Sequence, residues 1–143
     1  MTTRTFAFVL FTFAGALFCS STVGAITPYS PIANGHAIFQ TGRDLNGVHI
    51  NAKPPALFPA CAMCHGASGA GGKKLPGGAV SADLRHAALV THQKHPYTLA
   101  LLERAISTGI DNDGQRLSPV MPRWQLSKRD LHDVAEYVLT QLK

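Results

Sequence analysis

Residues 61–65 read Cys-Ala-Met-Cys-His, and no other stretch constrains the chain as strongly. Two thiols and an imidazole are crowded into one turn. Three chemistries begin in this way: half of a structural zinc site, a dithiol redox pair, and a covalent anchor for haem. What the rest of the chain offers decides between them.

The chain has three cysteines, and the odd one, Cys19, lies in a segment that reads as removable. Arg4 precedes an uncharged apolar run, Phe6 to Phe18, which ends in the small residues Ser20 to Ala25. The run is short for a membrane span, and Val23-Gly24-Ala25 fits a small-x-small cleavage site. The expectation is a secretory signal peptide over residues 1–25, a single domain over residues 26–143, and a periplasmic or otherwise exported product with no membrane span after cleavage. Losing Arg4 takes the formal net charge from +5 to +4. No run of Lys and Arg is dense enough to suggest nucleic acid as a partner.

Three helices are legible. Ser30 and Pro31 are an N-cap and a first-turn proline, and Ile32, Gly35, His36 and Phe39 follow on one face before Gly42 stops the helix. Gly35 in the helix interior costs roughly 1 kcal/mol against alanine, so a close backbone approach is expected there. A second helix is expected from about Pro96 to Ser107, with Leu99, Leu102 and Ile106 on one stripe. The third has an N-terminal cap from Ser127 with Asp130 and a hydrophobic staple from Leu126 and Leu131, then Val134, Ala135, Val138 and Leu142 at helical spacing. No segment alternates as a strand should, so the class is all-α. Residues 43–60, 66–95 and 110–125 remain as long loops, of a length that implies they wrap something. The glycine-rich run at 66–78 lacks the Gly-Lys-Ser/Thr ending of a phosphate loop.

A zinc site normally takes a second cysteine pair, and there is none. A thioredoxin-like dithiol belongs to a βαβ setting, which an all-α chain lacks. Covalent haem accounts for the whole motif: Cys61 and Cys64 lie about one helical turn apart, facing two vinyl groups of one porphyrin, and His65 falls under the iron as an axial ligand. For the sixth position, Met1 lies in the signal and Met63 inside the motif, which leaves Met121, set between Pro119 and Pro122 in what reads as a rigid extended loop. His86, His92 and His95 are the competing ligands, each in a polar stretch.

At this point the chain resembles the class I c-type cytochromes, small monohaem electron carriers. The resemblance rests on Gly35 and Phe39, Cys61 to Gly66, Pro76, Met121-Pro122-Arg123-Trp124, and Leu126-Ser127 opening a helix that contains Tyr137. It implies a cytochrome c-like fold of three main helices and long loops around one covalently attached haem c. Thioether bonds at Cys61 and Cys64 and axial ligation of the iron by His65 and Met121 would follow. So would a crossing of the first and last helices at Gly35, Phe39 and Tyr137, and a Pro76 carbonyl accepting a hydrogen bond from the His65 ring. Residues 43–60 depart from the simplest members, in which the first helix runs almost directly into the motif. The function expected is single-electron transfer rather than enzymatic turnover. Lys73, Lys74, Arg116, Arg123 and Lys128 would steer an acidic redox protein. The alternatives are a haem subunit of a larger dehydrogenase or oxidase, and a haem sensor or enzyme with an open sixth site.

Overall fold

Ser30 starts the first helix as expected: its hydroxyl accepts from the Ala33 amide and Pro31 fills the first position, while Gly42 ends the helix in the left-handed region at φ 69°. In this computed structural model, which describes residues 28–143, the helix is α1, Pro31–Thr41. The segment read as a signal peptide lies outside the described residues. β1, Asn51–Lys53, follows, then α2, Cys61–His65; α3, Leu99–Thr108; β2, Arg123–Gln125; and α4, Lys128–Gln141. Among the described residues no helix is long and apolar enough to cross a membrane.

The all-α class holds, with two adjustments. β1 and β2 pair antiparallel, Ala52 opposite Trp124, as a ribbon too short to alternate visibly in the sequence. The second helix starts at Leu99, where the Thr98 side chain caps the Leu101 amide, rather than at Pro96. Leu142 lies just past the end of α4 yet is buried, packed against Gly69.

The first and last helices cross where the interior glycine predicts. A Cβ at Gly35 would fall 2.1 Å from the Asp133 carbonyl oxygen, so only glycine lets α1 and α4 approach this closely. Phe39 is fully buried beside Tyr137, with ring centroids 5.6 Å apart. A polar network pins the same crossing. The Asn34 amide donates to Asp130 at 2.9 Å and to the buried Asp133 carboxylate at 2.8 Å, and the Tyr29 hydroxyl also donates to Asp133. The carboxylate is thereby satisfied although it is removed from water. Ile38, Phe39, Leu102, Ile106, Trp124, Val134 and Val138 form the core, and one flank of that core is left open as a cavity.

Candidate functional site

The cavity measures about 250 Å³. A close-packed interior leaves few voids larger than one water molecule, so a hole of this size in a small apolar core is built to hold something. Its walls come from the core side of α1, α3 and α4 and from loops on either side. Cys61, Cys64, His65 and Met121 all line it, as do Phe39, Trp124 and Leu102. Met63, the other methionine among the described residues, is exposed and contributes nothing to the lining.

Residues 66–84 build the wall behind His65. After α2 the chain turns at Gly66, runs out through Lys73 and Lys74, reverses at a short 3₁₀ turn, Pro76–Gly78, and returns. Backbone hydrogen bonds close this hairpin: Gly72 N to Ser81 O at 2.8 Å, Ser81 N to Lys73 O at 2.9 Å, Leu75 N to Ala79 O at 2.8 Å, and Leu84 N to Gly69 O at 2.7 Å. The returning strand brings the Ala82 carbonyl 2.8 Å from His65 Nδ1. A carbonyl only accepts, so Nδ1 carries the proton and Nε2 keeps its lone pair for a ligand. The expected acceptor was Pro76; it sits at the exposed hairpin tip instead, and Ala82 takes the role. His65 is 9% exposed, and that burial lowers its pKa against the opposing effect of the Ala82 hydrogen bond, favouring the neutral ring a metal needs.

The thiols differ from those of a redox pair. Burial pushes the Cys61 thiol up to about 12 and raises Cys64 as well, with Lys73 opposing the latter. Dithiol exchange wants a lowered pKa, and these groups are instead held protonated against an apolar pocket. Among the described residues no cluster of His, Cys, Asp and Glu assembles a metal site. The pocket fits an apolar, planar group anchored at two sulfurs far better than it fits zinc.

The opposite wall runs from Leu117 to Trp124. Met121 is not extended between its prolines as expected: Ser118 to Met121 forms a turn closed by the Met121 amide on the Ser118 carbonyl at 3.1 Å. Pro119 pre-sets the turn, and Pro122 leads into β2. The competing histidines are elsewhere. His86 Nδ1 lies 2.9 Å from Leu139 O, His95 pairs with Asp113 at 2.6 Å, and His92 lines a separate depression with Asp83 and Lys143. The insertion at 43–60 serves the site directly, since Leu57, Phe58 and Ala60 line the cavity and β1 braces β2.

Arg123 also has a structural role that the sequence did not show. Expected at a docking surface, it is half-buried and donates to the Leu117 carbonyl at 3.0 Å and to the Met121 carbonyl. A charge in a loop looks the same in sequence whether water or carbonyls satisfy it.

Comparison with known proteins agrees with this geometry. No curated protein matches the chain in a sequence search. Residues 32–141 match the family described as Cytochrome c, a span that runs from the first turn of α1 to the end of α4 and takes in every cavity wall. The chain therefore belongs to the cytochrome c family of haem-binding electron-transfer proteins, and its cofactor is covalently attached haem c with its iron.

Proposed function

We propose that this protein is an exported single-electron carrier in which Cys61 and Cys64 hold the haem by thioether bonds and His65 and Met121 fill both axial positions. The observation that carries the reading is the convergence of these four side chains on one apolar cavity, from which Met63, His86, His92 and His95 are absent. The bound haem supplies the Fe(II)/Fe(III) couple. With Met121 and His65 as the residues holding the iron, a thioether and an imidazole in this apolar pocket would favour the ferrous state and a raised potential.

The chain's own residues do the rest. Ala82 fixes the His65 tautomer and the orientation of its ring. Phe39, Trp124 and Val138 are buried on the cavity wall and keep water from it. Leu57 and Val80 line the cavity yet are 77% and 62% exposed, which marks its mouth and the edge where electrons enter and leave. The wall segments 57–82 and 117–124 contain no Asp or Glu, while Lys73 and Lys74 stand exposed beside Leu75. This favours an acidic redox protein as partner, with association rates that fall as salt rises.

The test is mass spectrometry of protein made in a host with haem-attachment machinery. One haem should be added to a polypeptide beginning near Ile26, and Cys61→Ala should retain a single thioether bond at lower yield. Two free thiols at Cys61 and Cys64 in the coloured protein would end the reading.

A further inference from the structure

The Arg123 guanidinium is enclosed on several sides by backbone. It donates to the Met121 carbonyl and, at 3.0 Å, to the Leu117 carbonyl. It also lies in a notch at the C-terminus of α3 that exists only because residue 109 is glycine: a Cβ there would fall 1.9 Å from Arg123 Nε and 2.0 Å from Cζ. Gly109 is itself tied into the loop, since its carbonyl accepts from the Leu117 amide at 2.9 Å. The arginine backbone is fixed independently, with Arg123 opposite Lys53 in the β1–β2 ribbon. One side chain thus joins the end of α3, the start of the methionine loop and the methionine itself.

We propose that Arg123 is a positioning residue for the sixth ligand, a clamp that holds the Ser118–Met121 turn against the cavity and sets how readily the Met121 sulfur leaves the iron. This rests on the assignment of Met121 as axial ligand. The planar guanidinium suits the task because it bridges two carbonyls that diverge from one centre, whereas an ammonium is a compact point donor. The Met121 side chain makes no hydrogen bond that fixes the turn. Its place depends on the loop backbone, and the arginine is the side chain holding that backbone at both ends.

The experiment uses the haem-loaded protein with Arg123→Gln and Arg123→Lys. It reads the methionine-to-iron charge-transfer band of the ferric form against pH, cyanide affinity, and thermal melting. An exogenous ligand binds in proportion to the population with the sulfur displaced, so a loosened clamp appears equally in both titrations. Losing charge-assisted bonds to two carbonyls should give about tenfold tighter cyanide binding in Arg123→Gln, with the band lost about one pH unit lower. Arg123→Lys, which keeps the charge but presents its donors from a single nitrogen, should fall between the glutamine variant and the parent. Should Arg123→Gln not accumulate, the lysine variant carries the same comparison. Wild-type cyanide affinity and band in the variants, even with lowered melting, would reduce Arg123 to a structural residue and overturn the proposal. A wild-type protein without the band would instead remove Met121 as ligand, and the clamp with it.

Discussion

On one side of the cavity, residues 61–84 close on themselves through backbone hydrogen bonds, and the His65 ring rests on a carbonyl supplied by that same hairpin. On the other side, residues 117–124 are held by one arginine side chain, the Leu117 amide on the Gly109 carbonyl, a four-residue turn and a ribbon of three residues per strand borrowed from the insertion. The histidine wall is local: Cys61, Cys64, His65 and the Ala82 carbonyl that braces the ring lie within one stretch of sequence. The methionine wall is assembled from three parts of the chain, each with few bonds. The first wall is a hydrogen-bonded hairpin, while the second rests on one side chain and a few backbone bonds. This asymmetry fits the proposed carrier, in which the haem would never be released and Met121 as sixth ligand would tune the potential.

The comparison breaks most severely at Gly71. It has φ 65°, and a Cβ there would fall 2.3 Å from the Ala82 oxygen, the atom that accepts from His65. Gly71→Ala should cost roughly 2–5 kcal/mol, combining the left-handed penalty with overpacking. Thermal melting of the haem-loaded protein measures it. A variant that melts with the parent would mean the hairpin is not the rigid wall described. The smallest effect is expected at Pro76, at the hairpin tip. Pro76→Ala should change melting stability by less than about 1 kcal/mol and leave the haem spectrum as it was, because the proline contributes only to the stiffness of the unfolded chain. A shifted spectrum in that variant would mean that the hairpin tip bears on the His65 wall and would sharpen the account of that wall.

The two walls were also unequally legible in the sequence. Cys61, Cys64 and His65 could be read because their chemistry is written in consecutive side chains. Gly35 could be read because an interior helical glycine has a cost that needs a reason, and the Asp133 carbonyl supplies it. Ala82 could not: a backbone carbonyl has no side-chain signature, and which one meets His65 depends on where the 69–84 hairpin closes. Met121 emerged by elimination, and the structure places its residue on the cavity wall, though on a turn rather than in an extended segment. Two prolines near a methionine argue against helix, but they do not distinguish a turn from an extended path. The role of Arg123 and the pairing of Ala52 with Trp124 were hidden because both are contacts between segments about 70 residues apart or loops that fold back locally. Residues 43–60 had no assignable role until β1 met β2 and Leu57 and Phe58 reached the cavity.

The most direct test of the axial pair is the ferric and ferrous spectrum of the wild type beside that of Met121→Ala. The wild type should be low-spin with the methionine-to-iron band. The variant should keep its haem attached through Cys61 and Cys64, lose that band, show a lower potential, and bind cyanide or carbon monoxide more readily. A wild-type spectrum that already lacks the methionine signature, and that Met121→Ala leaves unaltered, would contradict the account and put another ligand or an open site in its place.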